Sequence, residues 1–196
     1  DSVYPVSQTG STGMAFEAGA SGKNLTEWQF GMASLNPRWN VSGTYMQVLP
    51  SFISTDQDGN DEKEFLLDYF NELPDLLSMV FLKGYQWPFD VNKIFGGSSV
   101  IDLLVYQETV LKKRRVFLDY RVNPGNLEKD RDLPYASMIP EAKEYLSQAG
   151  ACFGTPIERL KHMNEPAILF YQDHHVDLFK ERLEIAVCAQ HNNGGL

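Results

Sequence analysis

The sequence has few cysteines, no long apolar run and a deficit of basic charge, and each shortage excludes a class of protein. Two cysteines in 196 residues exclude a disulfide-rich scaffold, and no apolar stretch approaches the roughly 20 residues that cross a bilayer. Lysine and arginine total 17 against 26 aspartate and glutamate, for a net charge of −9, so binding to nucleic acid or anionic membranes is not expected. With few cysteines and no recognisable secretory signal, we expect a cytoplasmic protein.

The composition that remains is that of a globular domain with a real core. Hydrophobic residues make up 43% and charged residues 22% of the chain, which is close to the average for folded domains. The apolar spacing and turn residues predict an α+β fold in which a helical middle lies between short strands near both ends. Helices are predicted over residues 12–20, 62–73, 74–83, 98–113, 140–149, from a capping box at 155–158, and over 166–174. Strands are predicted over residues 27–30, 45–52, 115–122 and 183–189.

The common catalytic signatures do not occur in this sequence. It contains no Gly-x-Gly-x-x-Gly after a strand, no phosphate-binding Walker loop and no Gly-x-Ser-x-Gly elbow. Adjacent side chains on a helix point about 100° apart, so His174 and His175 are interpreted as a solvated helix end rather than a metal site. Asp102 and Glu108 are interpreted as ordinary exposed carboxylates.

The C-terminal end carries the most informative residues. A polar, glycine-rich segment over residues 190–195 directly follows the predicted strand 183–189, and strand ends of this kind often hold ligands. His191 can donate a hydrogen bond to an anionic substrate, and Gly194 and Gly195 let the backbone approach a flat cofactor closely. The alternative interpretation is a simple loop or hairpin with a capped histidine.

Three segments resemble one family of flavoproteins. Residues 191–196, His-Asn-Asn-Gly-Gly-Leu, resemble the His-x-x-x-Gly-Gly-aliphatic segment of the fumarate reductase and succinate dehydrogenase flavoproteins, which include L-aspartate oxidase. Residues 8–20, Gln-Thr-Gly-Ser-Thr-Gly-Met-Ala-Phe-Glu-Ala-Gly-Ala, resemble that family's Thr-Gly-Asp-Gly-x-x-Met-Ala-x-x-Ala-Gly-Ala segment. Residues 27–30, Glu-Trp-Gln-Phe, resemble the strand that follows it, and the 150 residues between the matching ends correspond only in broad layout.

The resemblance implies that residues 1–196 form one capping domain that closes over FAD in a longer protein. Residues 1–30 and 183–196 would join it to a missing FAD-binding domain. The expected partners of the capping domain are that FAD-binding domain and a small-molecule substrate. The substrate-binding histidine falls on His191, the one candidate catalytic residue. The residues expected beside the flavin are Thr9, Gly10, Ser11, Gly13, Gly194 and Gly195. We expect the intact protein to be an FAD-dependent oxidoreductase, and the piece alone to be inactive and to hold no FAD tightly.

Two departures from the family pattern bear on the substrate. Residues 31–33, Gly-Met-Ala, stand where the family has histidine-proline-threonine, and residues 96–99, Gly-Gly-Ser-Ser, stand where it has its proton-donating arginine. Serine cannot both anchor a dicarboxylate and deliver a proton as arginine does, so a substrate other than fumarate or succinate is expected. The alternative function is a self-contained, non-enzymatic α+β binding module.

Overall fold

A computed structural model of the protein describes residues 11–24, 28–126 and 133–192. The helices are α1 (Ser11–Glu17), α2 (Thr44–Gln47), α3 (Leu73–Tyr85), α4 (Ser99–Tyr106), α5 (Pro140–Gln148) and α6 (Pro156–Asp173). The strands are β1 (Trp28–Leu35), β2 (Arg38–Asn40), β3 (Ser51–Thr55), β4 (Arg115–Asp119) and β5 (Leu183–Asn192). A π-helical turn, Gln107–Leu111, extends α4, and a short 3₁₀ turn, Phe65–Asp68, precedes α3. The described residues contain both helices and antiparallel strands, which confirms the predicted α+β class.

The described strands form one antiparallel sheet in the order β2-β1-β5-β4-β3. The last strand in the sequence, β5, lies at the centre, between β1 and β4. The pairing of β1 with β5 runs from Trp28 opposite Asn192 to Ser34 opposite Ile185. The start of the first strand and the end of the last therefore lie side by side.

One face of the sheet packs into the core that the helices share. Met32 of β1, Val116 of β4 and Ile185 of β5 lie on this face, and each is at most 1% exposed. Alternate residues point to the other face, where Glu184 and Cys188 of β5 are only half-buried. The predicted strand at 183–189 is confirmed, but only Leu183 and Ile185 are buried and residues 186–188 are half-buried, so its burial is not continuous.

The strongest local signals in the sequence are confirmed. At the start of α6, the backbone N–H of Thr155 donates to Oε2 of Glu158 at 2.8 Å, and the reciprocal bond of the capping box is present. The two helices predicted at 155 and 166 are joined in α6, across a kink where Asn164 leaves helical geometry (φ −158°, ψ 64°) just before Pro166. Pro166 has no backbone N–H to donate, and its ring clashes with the preceding turn of a regular helix, so the helix kinks in the turn before it.

Two predicted elements are wrong in type. The segment predicted as a strand over 45–52 begins instead as the helical turn α2, and the strand β3 starts at Ser51, after Pro50. The helix predicted over 62–73 is limited to the 3₁₀ turn at Phe65–Asp68. The apolar residues of 45–52 are buried in the core, whereas only Phe65 and Leu66 are buried within 62–73.

Candidate functional site

The predicted substrate histidine lies in the strand pair at the centre of the sheet. The backbone of His191 in β5 is paired with Gln29 in β1, and Phe30 is paired with Ala189. Gln190 is the extra residue of a bulge between these two pairs, a feature that often re-aims side chains near functional sites. The structure thus brings two of the three resembling segments into direct contact.

The predicted flavin-side residues are only partly covered by the structure. Thr9, Gly10, Gly194 and Gly195 lie outside the described residues, and Ser11 begins α1. Gly13 lies in α1 and is exposed; a Cβ atom added to it would meet nothing within 4 Å. The backbone at Gly13 is therefore open to the approach of a flat ring.

An apolar groove opens beside the bulge. Its volume is about 250 Å³, and it lies between the strand pair and the outer side of α4. The lining side chains are Phe30, Phe89, Leu103, Tyr106 and Val187, with Asp102 at the base. The N–H of Phe89 donates to the carbonyl of Phe30 at 2.7 Å and so closes the open edge of β1 at this point.

The indole ring of Trp87 packs directly on β1 because residue 31 is a glycine. A Cβ atom on Gly31 would collide with the indole ring of Trp87, which lies directly over this residue. The backbone of β1 and the indole can make this close approach only because residue 31 has no side chain. The space that a histidine would need at this position is filled by Trp87.

A buried ion pair lies behind the groove and corrects the expectation for Asp102. Lys83 Nζ of α3 is 2.5 Å from Oδ2 of Asp102 in α4, and each side chain is 1% exposed. Burial lowers the pKa of Lys83 and raises the pKa of Asp102, and the attraction between the two charges opposes both shifts. The prediction of an exposed carboxylate was wrong because α4 packs this side against α3.

Glu108 is also buried rather than exposed. It lies in the π-helical turn after α4 with its side chain 5% exposed, 2.5 Å from Lys112 Nζ and 3.2 Å from Arg114 Nε. Lys112 and Arg114, two side chains of the basic run at 112–115, therefore neutralise this one buried carboxylate.

Arg38 is a residue that sequence reasoning did not single out. Its Nη2 donates to the carbonyl oxygen of Ala189, at 2.8 Å, two residues before His191. Its Nε is buried without a hydrogen-bond partner, and so is Oδ1 of Asn40. Burial raises the pKa of the nearby Cys188 thiol, and the charge of Arg38 opposes that shift. An arginine on a three-residue edge strand gives no signal in the sequence.

A larger cavity, about 470 Å³, lies at the other end of the half-buried sheet face. Three arginines line it, and each binds a carboxylate: Arg115 with Glu184, Arg121 with Asp119, and Arg182 with both Asp119 and Glu62. Because their charges are already neutralised, these arginines do not form an open anion site.

His174 and His175 are both exposed at the end of α6, as the sequence predicts. Within the described ranges, no group of three or more His, Cys, Asp or Glu side chains is placed to hold a metal ion. In the same ranges, no helix combines the length and the apolar character needed to cross a bilayer.

The chain was compared with known proteins at three levels. No protein-family model matches it, and neither the curated proteins nor the solved structures gave a match.

Proposed function

We propose that this chain is the substrate-capping domain of an FAD-dependent oxidoreductase that resembles the fumarate reductase and succinate dehydrogenase flavoproteins. The observation that carries the proposal is the pairing of Gln29 with His191. Two segments that resemble the family, far apart in sequence, are neighbours in one sheet. The proposal includes a cytoplasmic location, which the low cysteine content supports.

The placement of the two strand ends supports an arrangement with a second domain. Trp28 at the start of β1 lies opposite Asn192 at the end of β5, so residues 1–27 and 193–196 connect to the sheet at one place. A FAD-binding domain joined through both connections would lie beside this edge. The apolar groove at Phe30 opens two residues from the start of β1 and would face that domain.

In this arrangement FAD supplies the redox chemistry, and the residues of this chain position the substrate. His191 would donate a hydrogen bond to an anionic substrate group. Gly13, Gly194 and Gly195 would let the backbone approach the flavin ring, and the open space around Gly13 fits that role. Closure of the domain would exclude water from the reacting groups.

The substrate is proposed to differ from fumarate and succinate. Trp87 fills the space over Gly31, where the family has a substrate histidine. The groove beside it is apolar and aromatic. A site that lacks this histidine and presents aromatic rings would bind a less polar molecule than a dicarboxylate.

Expression of the complete open reading frame, followed by an absorption spectrum, tests the proposal. We expect a flavin spectrum, and we expect His191→Ala to lower kcat/KM by roughly 10²-fold or more, as loss of a positioned histidine does, without changing the flavin content. His174→Ala, at an exposed helix end, is the matched control and should leave turnover unchanged. A colourless full-length protein would refute the proposal.

The second candidate is a self-contained, non-enzymatic binding module. Exposed apolar side chains along one side of α4 and its π-helical extension favour this candidate. The exposed fractions are 40% for Leu103, 44% for Tyr106 and 66% for Leu111. Exposed apolar stripes of this kind commonly bind other proteins. An open reading frame that begins near Asp1 and ends near Leu196, with no bound flavin, is the result that would favour it.

A further inference from the structure

A cavity of about 310 Å³ lies beside α3 and the first turn of α4. Three aromatic side chains line it, those of Tyr69, Phe70 and Phe95, and each helix adds an apolar side chain, Met79 from α3 and Val100 from α4. Within the described residues, neither β1 nor β5 contributes to the wall of this cavity. Its volume is at the lower end of the range for small-molecule sites, about 300–1,000 Å³.

Phe95 lies at the cavity in a position that depends on two glycines. Its side chain is 93% exposed, the largest exposed fraction among the large apolar residues that the structure describes. Gly96 has a φ of 73°, a conformation that other residues rarely adopt, and a Cβ atom on Gly97 would lie 2.7 Å from the carbonyl oxygen of Lys93. The turn after Phe95 therefore needs glycine at both positions, and it places at the cavity an aromatic ring that the described chain does not cover.

Asp75 is the one charged side chain among the described residues that line the cavity. It is exposed in the first turn of α3, and no basic group in the described part of the chain lies within ion-pair distance of it. The other polar side chain that α3 adds to the wall, Ser78, already has its partners: its Oγ donates to the carbonyl of Pro74 and accepts from the N–H of Ile139. A ligand that enters therefore meets aromatic rings and one available carboxylate.

The charges around the cavity favour a cation. Asp68 and Glu72 are exposed on the same segment as Asp75, and none of the three forms an ion pair with another described residue. Lys93, next to the cavity in the sequence, is already paired with Asp90 at 3.6 Å. The N-termini of α3 and α4 each supply about half a positive charge, which is less than the three carboxylates supply. The faces of aromatic rings also attract cations.

We propose that this cavity binds a small organic cation, an ammonium group carried on an aromatic body. The ammonium group pairs with the carboxylate of Asp75 and lies against the face of a neighbouring ring. The aromatic body packs against Phe70 and Met79, and Phe95 covers part of it. An anion of the same shape would be repelled by the carboxylate. The site is independent of the proposed function, because its wall shares no described residue with the strand pair at His191.

Titration with three ligands of similar shape tests the proposal. Phenethylamine, which is protonated at neutral pH, is added at constant ionic strength while the methyl resonance of Met79 and the backbone amides of Gly96 and Gly97 are followed by NMR. Phenethyl alcohol has the same ring without the charge, and phenylacetate has the opposite charge. We expect saturable shifts with the amine, binding of the alcohol that is weaker by roughly threefold or more, and no saturation with phenylacetate. Equal affinity for amine and alcohol, or saturable binding of phenylacetate, would overturn the assignment.

Two other occupants of the cavity would give different results. If a second copy of this chain covers it, the Met79 and glycine resonances should depend on protein concentration in the absence of any ligand. If a basic protein segment occupies it, the capped dipeptide acetyl-Phe-Lys-amide should bind more tightly than phenethylamine. Either result would overturn the assignment to a free small molecule.

Variants at exposed positions locate the site without unfolding the chain. Asp75→Asn should weaken phenethylamine binding by roughly threefold or more and remove the preference for the amine over the alcohol, whereas Asp75→Glu keeps the charge and should keep the preference. Phe95→Ala should weaken the binding of both ligands. Asp173→Asn at the end of α6 and Phe179→Ala are the matched controls, because each removes the same kind of exposed group outside the cavity, and both should bind as the parent does. Unchanged affinity in Asp75→Asn refutes the proposal.

Discussion

Substitution of one member of the buried ion pair between Lys83 and Asp102 should strongly destabilise the fold. Both side chains are 1% exposed, and the charges are 2.5 Å apart. Asp102→Asn keeps the shape of the side chain but leaves the Lys83 ammonium without a counter-charge in the core. Breaking a buried pair in this way costs about 3–5 kcal/mol. A domain of this kind has only about 5–15 kcal/mol of stability, so the loss is a large part of the total.

The pH dependence of this variant gives a second test of the same reasoning. Burial already lowers the pKa of Lys83, and Asp102 is the charge that opposes the shift. Without that charge, folded Lys83 should release its proton at a lower pH than unfolded Lys83, whose ordinary pKa is 10.5. The unfolded chain then binds more protons, so the stability deficit should shrink as the pH rises towards 10.5.

Urea unfolding at several pH values measures these effects, and two further variants serve as controls. The double variant Lys83→Met/Asp102→Leu removes both charges and should recover most of the loss, because apolar replacements of a buried pair are often neutral or better. Lys180→Ala breaks an exposed pair with Asp177 and should change stability little. A single substitution that costs less than about 1 kcal/mol, or a double variant no better than Asp102→Asn, would refute the argument.

Two other predictions concern stability. Burial alone would raise the pKa of Asp119, but hydrogen bonds from Arg121 and Arg182 hold its pKa below the ordinary value; the stability that Asp119 contributes should therefore be lost as the pH falls below about 4. Acid titration of the unfolding free energy should show the gap between the parent and Asp119→Asn closing in that range, and a constant gap would contradict this. Gly84→Ala should lower the urea midpoint, equivalent to about 1–3 kcal/mol, although alanine is the better helix former, because its Cβ would lie 2.7 Å from Gln47 Cγ. A higher midpoint would show that helix propensity outweighs the clash.

The parts of the fold that could be predicted are those with local causes. The capping box at Thr155 and Glu158 is complete within four residues, so the start of α6 can be recognised in the sequence alone. The strand over 183–189 follows from its apolar run. The segments at 45–52 and 62–73 also contain apolar residues at regular spacing, but the first packs against α3 and the second against β3 and α3, and local periodicity does not contain those contacts.

The candidate site depends even more than the fold on contacts between residues that are distant in the sequence. His191 and Gln29 could be proposed from motifs, but their pairing depends on the register of β1 against β5, which joins residues about 160 positions apart in the sequence. Arg38, Asn40 and Asp102 have no motif, because what distinguishes them is an unsatisfied atom or a buried partner, and both are properties of the packed chain. These residues can therefore be recognised only once the packing of β1 against β5 and of α3 against α4 is known.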